Sequence, residues 1–178
     1  MAEGKILSRL LILENVFGLE GIQTRIVNKY LPMLNIAIKE FMDVLTNGEM
    51  GVHVFINEKS KVDIRIRGGS ADLFSLLSGG EKMLVRLAVD IGLALLSFSR
   101  SSQKPEIICL DEIFGPLDNS HTDAVFNLLN KLQQMFNRVL VISHKPMVQD
   151  LIKNRILVEK EDGDYGRTYI KKIEYLGL

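Results

Sequence analysis

The sequence predicts an α/β protein, with a mainly parallel sheet flanked by helices, a β-hairpin and a helical N-terminal region. Three patterns support this class. Helix-period apolar residues fill residues 6–45, a two-residue period marks a hairpin over residues 52–66, and short apolar runs at 107–110 and 139–142 flank another helical stretch. Because a strand, a helix and a strand in this order form a right-handed crossover, the last two strands should be parallel.

Composition narrows the classes of function. The 178 residues are 47% apolar, which is enough to bury a full core, and one domain is the default expectation. Lys plus Arg and Asp plus Glu number 22 each, so any contact with nucleic acid must use a local patch. The single cysteine excludes a disulfide framework. We find no signal-peptide pattern and no apolar run long enough to span a membrane, and we expect a soluble intracellular protein.

The N-terminal region is predicted to be helical. Apolar residues recur at helical spacing over residues 6–17, and Gly18 and Gly21 then break the pattern. A second helix is predicted over residues 22–45, with a kink or restart at Pro32. Nothing in this region carries chemistry by itself.

The hairpin is predicted to have one apolar and one polar face. Its apolar face should carry alternating residues of both strands: Val52, Val54, Ile56, Val62, Ile64 and Ile66. The other face carries Lys61, Arg65 and Arg67, and His53 should point outward with them. A solvated outer face is the favoured interpretation, and a surface that touches DNA or a partner is the alternative.

A Ser78-Gly79-Gly80 motif precedes a long predicted helix, residues 81–98. This helix is expected to be mostly buried, because it has a broad apolar stripe: Leu84, Leu87, Ala88, Ile91, Leu95 and Leu96. Glycines at a helix start leave N–H groups accessible, and the positive end of the helix dipole adds to them. Together with the Ser78 hydroxyl these groups form an anion site suited to a phosphate. A loop that only caps an ordinary helix is the alternative.

Acidic and imidazole side chains follow the two parallel strands. Asp111 and Glu112 end the first strand, and His144 comes directly after the second. Ligands bind outside the carboxyl ends of the strands in open α/β sheets, so these three residues should share a functional edge. The alternative for the acidic pair is a solvated turn. Cys109, within the first strand, is expected to be a core residue.

These features resemble the ATP-binding cassette (ABC) ATPases. Leu-Ser-Gly-Gly-Glu-Lys at residues 77–82, followed by Asp-Glu-Ile-Phe-Gly-Pro-Leu-Asp at 111–118, is similar to the chromosome-maintenance (SMC) group, which includes the SbcC or Rad50 family. The resemblance implies a coiled-coil stub and helical region at residues 1–50. It implies that residues 51–178 form the C-terminal lobe of an ATPase head.

Four residues are implied to act across an interface between two heads. Ser78, Gly79 and Gly80 resemble the signature motif, which binds the γ-phosphate of a nucleotide held by another subunit. Asp118 resembles the aspartate of the D-loop, which crosses the dimer interface. His121, close by, is expected to be a surface residue.

Three residues are implied to serve the nucleotide of their own head. Asp111 resembles the Walker B aspartate, which holds Mg²⁺, usually through water. Glu112 would orient or activate the attacking water. His144 resembles the switch histidine that contacts the γ-phosphate of ATP.

A Gly-x-x-x-x-Gly-Lys-Ser/Thr phosphate loop (Walker A) does not occur in these 178 residues. In the resembled family this loop lies in an N-terminal lobe, so ATP hydrolysis is expected only when such a lobe is combined with this one. The implied partners are that lobe, a second head, an Mre-eleven/SbcD-type nuclease and DNA. Contact with a membrane is not expected. The expected location is the cytoplasm or nucleoid, or the nucleus of a eukaryote.

Two other functions stay open at this stage. One is an SMC chromosome-structuring ATPase, which works with a kleisin and DNA. The other is a module that dimerises without hydrolysing ATP. Glu112 and His144 argue against the second, because a purely structural lobe needs neither residue.

Overall fold

The computed structural model describes residues 2–99, 101, 105–112, 122–161 and 167–175. By its internal contacts the chain divides into two compact units, Met1–Glu106 and Ile107–Leu178. The predicted boundary at residue 50 is a different division, and it stays a prediction.

The first unit opens with two helices, as predicted. Helix α1 (Ala2–Phe17) and helix α2 (Thr24–Thr46) are joined by a π-helical turn, Leu19–Gln23. Gly21 has non-helical dihedral angles in this turn, and a Cβ atom there would overlap the Val16 carbonyl oxygen. The break therefore requires glycine.

Helix α2 runs through Pro32 to Thr46, so the predicted restart at this residue does not occur, and the kink stays a prediction. An interior proline costs a helix about 3 kcal/mol. Burial of one face of α2 offsets this cost, and that face comprises Leu31, Leu34, Ile38, Phe41, Met42 and Leu45. Asn47 then ends the helix in the left-handed region, at φ 52°.

The hairpin forms as predicted from strands β1 (Gly51–Ile56) and β2 (Val62–Arg67), which pair antiparallel. Of the predicted apolar face, Val52, Val54 and Ile66 are buried and Ile56 and Ile64 are half-buried, but Val62 is exposed. On the other face His53, Arg65 and Arg67 are exposed, as predicted. Asn35 of α2 holds the open edge of β1: its Nδ2 donates to the Val54 carbonyl oxygen, and its Oδ1 accepts from the Val54 N–H, each at 2.8 Å. This side chain takes the place of a neighbouring strand.

Helix α3 (Gly79–Phe98) packs closely against α2. A Cβ atom at Gly92 would lie 3.1 Å from Ile38 Cγ1 and 3.3 Å from Leu34 Cδ1, so glycine permits the close approach of the two helices. The buried residues of α3 follow the predicted stripe through Leu84, Leu87, Ala88 and Ile91. The Ser78-Gly79-Gly80 motif thus begins a helix that is fixed in the core of the first unit.

The second unit contains the predicted crossover. Strand β3 (Ile107–Asp111), helix α4 (Thr122–Met135) and strand β4 (Arg138–Ile142) follow in order, and β3 and β4 are parallel. Helix α4 buries Val125, Leu128, Leu129 and Leu132, which recur at helical spacing on one face.

The prediction that Cys109 is a core residue is wrong, because its side chain is exposed. Successive side chains of a strand point to opposite faces. Leu110 lies on the covered face of β3, whereas Ile107 and Cys109 lie on the exposed one. The face that carries Cys109 is also exposed on β4, at Leu140 and Ile142.

The second unit ends with helix α5 (Pro146–Leu151) and the antiparallel strands β5 (Arg155–Lys160) and β6 (Thr168–Glu174). The sequence predicts a turn at residues 161–164 between these strands, of which residues 162–164 lie outside the described residues. The described strands form three two-stranded sheets, of which β3–β4 is parallel and the other two are antiparallel. The prediction of a mainly parallel sheet therefore does not hold for the described strands, because β1–β2 and β5–β6 each pair as hairpins. Among the described helices, none is long and apolar enough to cross a membrane.

Candidate functional site

The Ser78-Gly79-Gly80 motif starts α3 through a reciprocal cap. Ser78 is the N-cap residue: its Oγ accepts from the Glu81 N–H at 3.2 Å, and its own N–H donates to Glu81 Oε2 at 2.9 Å. Gly79 and Gly80 are the first two helical residues, not a loop before the helix as predicted. The Ser-x-x-Glu spacing is the sequence signal for this arrangement.

Glu81 also reaches a second segment. Its Oε1 accepts from the Ser70 N–H at 2.8 Å, and its Oε2 accepts from the Ser70 hydroxyl. These hydrogen bonds lower the pKa of Glu81 to about 2. The bond from the Ser70 hydroxyl contributes most, followed by the bonds from the backbone N–H groups of Ser78 and Ser70. The Ser-x-x-Glu spacing indicates the role of Glu81 in the cap, but no sequence pattern indicates its bonds with Ser70, which lies eleven residues away.

The cap determines which groups of the motif remain for an anion. The N–H groups of Ser78 and Glu81 are used within the cap, whereas no acceptor in the described part of the chain is found for those of Gly79 and Gly80. A Cβ atom at Gly79 would have nothing within 4 Å in the described structure. The fold itself therefore leaves room at Gly79 for close approach by a ligand.

The second group of predicted residues lies at the end of the parallel strands. Asp111, the last residue of β3, pairs with Ile142, the last residue of β4. The Glu112 N–H extends the ladder by donating to the Ile142 carbonyl oxygen at 2.9 Å. Beyond it, His144 Nδ1 lies 3.0 Å from Glu112 Oε1. The prediction that these residues share one sheet edge is confirmed.

Glu112 is held in an unusual conformation. Its φ is 49°, in the left-handed region that residues other than glycine seldom adopt. Such dihedral angles cost about 1–3 kcal/mol and cluster at functional sites. The side chains stay accessible, with 44% of Glu112 and 79% of His144 exposed. A carboxylate and an imidazole are thus held together at an open edge.

The predicted interface residue Asp118 lies outside the described residues, as does His121. The Ser78-Gly79-Gly80 motif belongs to the first unit, and Asp111, Glu112 and His144 belong to the second. The structure thus describes two separate parts of the predicted site.

Comparison with protein families identifies residues 57–131 as matching the SbcC/RAD50-like Walker B motif family. The chain is 28% identical to the SbcC component of the SbcCD nuclease of Clostridium acetobutylicum over 165 residues, which are 93% of this chain. It is 37% identical to the SbcC component of Rhodobacter capsulatus over 111 residues, which are 62% of this chain. The chain spans only 14% and 9% of the lengths of these two relatives.

Solved structures show the fold. One is a structure from a study of ATP-driven dimerisation of SMC ATPases. The match covers 84% of this chain and 89% of the chain in that structure, with a TM-score of 0.66 and 16% sequence identity. The SMC head domain of Thermotoga maritima matches 87% of this chain and 56% of its own, with a TM-score of 0.54 and 26% identity. The predicted α/β fold of an ATPase head lobe is confirmed.

Proposed function

Since this chain is related in sequence to the SbcC and Rad50 ATPases and has the fold of an SMC-type head, we propose that it is the C-terminal lobe of a DNA double-strand-break repair ATPase. The observation that supports this proposal most directly is the contact between Glu112 Oε1 and His144 Nδ1, which lie 3.0 Å apart at the end of the parallel strands. A carboxylate and an imidazole at this edge suit a group that positions water beside a γ-phosphate.

The proposed roles divide between two nucleotides. Glu112 orients or activates the attacking water for the nucleotide of its own head, and His144 contacts the γ-phosphate of that nucleotide. The signature residues Ser78, Gly79 and Gly80 bind the γ-phosphate of a nucleotide held by a second head. Asp118 crosses the interface between the heads. Closure of two heads on ATP would then control a partner nuclease and DNA binding.

Asp111 is the proposed Mg²⁺ residue. Among the described residues no group of three His, Cys, Asp or Glu side chains could hold a metal ion alone. A carboxylate at this edge nevertheless fits Mg²⁺, which keeps several waters and is often held by one or two carboxylates together with substrate phosphates. When bound, the cation neutralises charge on the phosphates.

The sequence lacks a Walker A loop, so ATP binding is proposed to need a second lobe that carries one. The proposed partners are that lobe, a second copy of the head, an Mre-eleven/SbcD-type nuclease and DNA. An SMC chromosome-structuring head is the alternative, favoured by the fold of solved SMC heads. The sequence relatives favour the repair function, because they include SbcC proteins and Rad50 ATPases.

Ser78→Arg tests the proposed interface. In a head reconstituted with the Walker A lobe, the bulky cation should abolish ATP-driven dimerisation and leave nucleotide binding by each monomer intact. Size-exclusion chromatography with a non-hydrolysable ATP analogue separates the monomer from the dimer. Ser75→Arg adds the same side chain at an exposed serine three residues earlier and should dimerise normally. A normal dimer peak for Ser78→Arg would refute the assignment of the signature motif.

A further inference from the structure

We propose that Glu81 is the positioning residue of the signature motif, and that it sets the Ser78 hydroxyl by tying it to the Gly69–Ser70 turn at the exit of β2. This inference rests on the proposed function, because it concerns how Ser78 is presented to a nucleotide across the head dimer. In this role the carboxylate acts through Ser78 and not by contact with the nucleotide itself. It joins two segments that are eleven residues apart in sequence.

The turn side of this link is sterically defined. Gly68 and Gly69 have φ values of 68° and 93°, and a Cβ atom at Gly68 would overlap the Glu49 carbonyl oxygen. A Cβ atom at Gly69 would lie 3.1 Å from Glu81 Oε1 and 3.2 Å from Met50 Cε. The backbone thus passes directly over the carboxylate. Ser70 then donates both its N–H and its hydroxyl to Glu81.

The helix side fixes the serine. Glu81 Oε2 accepts the Ser78 N–H at 2.9 Å, and the Glu81 N–H donates to Ser78 Oγ at 3.2 Å. Because Ser78 Oγ acts as an acceptor here, its own hydrogen remains available to donate to a phosphate oxygen. The Ser78 N–H is occupied, which leaves Gly79 and Gly80 as the backbone donors of the motif.

A simple helix cap would explain only the Ser78 half of these contacts. The bonds from Ser70 do not satisfy any N–H group at the start of α3, since both donors belong to Ser70 in the preceding segment. They also use both oxygens of the carboxylate, so a neutral amide can keep only part of the set. A cap therefore predicts that Ser70 is dispensable for dimerisation, whereas a positioning role predicts that it is not.

The test compares Glu81→Gln and Ser70→Ala in the reconstituted head, with Asp72→Asn as the control. Asp72 is an exposed carboxylate of the same connecting segment, so its substitution removes the same charge. Loss of charge-assisted hydrogen bonds should make the dimer about tenfold weaker in Glu81→Gln. Ser70→Ala should weaken the dimer less, and the double variant should be no worse than Glu81→Gln alone. Monomer affinity for ATP should not change.

Amide hydrogen exchange of the isolated chain gives a second measurement that does not need a dimer. In Glu81→Ala, exchange at Ser70 and Ser78 should become faster together, whereas Asp72→Asn should leave both rates unchanged. Dimerisation of Glu81→Gln at the control level, or unchanged exchange at Ser70, would overturn the proposal. If both Glu81→Gln and Ser78→Arg dimerise normally, the proposed function fails together with this inference. If Glu81→Gln dimerises normally but Ser78→Arg does not, only the role of Glu81 fails.

Discussion

Glu112→Gln is the substitution that bears most directly on hydrolysis. Glutamine has nearly the same shape, so its amide oxygen can still accept a hydrogen bond from His144 Nδ1, 3.0 Å from the native Glu112 Oε1. The backbone bond from residue 112 to the Ile142 carbonyl oxygen does not involve the side chain. The substitution therefore removes the charge and the proton acceptor but should leave the local geometry intact.

The expected loss is the contribution of a positioned general base, about 10²–10⁴-fold in the rate of hydrolysis. ATP affinity should stay level or rise, because the phosphates lose a nearby negative charge. The variant should consequently accumulate as an ATP-bound closed dimer. Asp111→Asn should differ, since it removes charge from the proposed cation site and should weaken Mg²⁺-dependent ATP binding itself.

The assay measures turnover and Mg-ATP affinity for both variants in the reconstituted head. His144→Ala provides a further comparison. If Glu112 and His144 act as one unit, the double variant should lose much less than the product of the two single losses. Hydrolysis by Glu112→Gln at the parent rate would show that Glu112 is not the catalytic carboxylate.

Two further predictions concern stability. Asn35→Ala should lower the free energy of unfolding by about 2–4 kcal/mol, because it leaves the backbone N–H and carbonyl groups of Val54 without their hydrogen-bond partner. Asn28→Ala, at an exposed position of the same helix, should change the urea midpoint little. Equal urea midpoints for the two variants would contradict the role of Asn35. Folding lowers the pKa of Glu81 from its ordinary value of 4.5 to about 2. The ionised carboxylate therefore stabilises the fold at pH values above 4.5, and this stabilisation is lost as the pH falls toward about 2. Glu81→Gln should therefore show a smaller acid-induced drop in urea midpoint than the parent, and identical pH dependence would exclude the effect.

The sequence was sufficient where a pattern is local. Helical spacing located α3 and α4, and the order of strand, helix and strand placed Asp111, Glu112 and His144 at one edge. This inference needed no contact information, because parallel strands must end on the same side of their sheet.

Other features depended on contacts between distant segments. The exposure of Cys109 is decided by which face of β3 the rest of the unit covers, and a short apolar run does not encode that choice. The continuity of α2 through Pro32 depends on its packing against α3 and β1. The bonds from Ser70 to Glu81 join residues that no local pattern relates. The roles of the site residues stay predictions.

ATP hydrolysis by separated and mixed lobes tests most directly whether this chain provides only part of an ATPase site. The isolated chain should bind ATP poorly and hydrolyse almost none, because the sequence has no Walker A loop. Mixing it with an N-terminal lobe that carries this loop should restore hydrolysis, and mixing the Glu112→Gln chain with the same lobe should not. Micromolar binding of ATP to the isolated chain by calorimetry, or hydrolysis by that chain alone, would contradict the proposed division of the site.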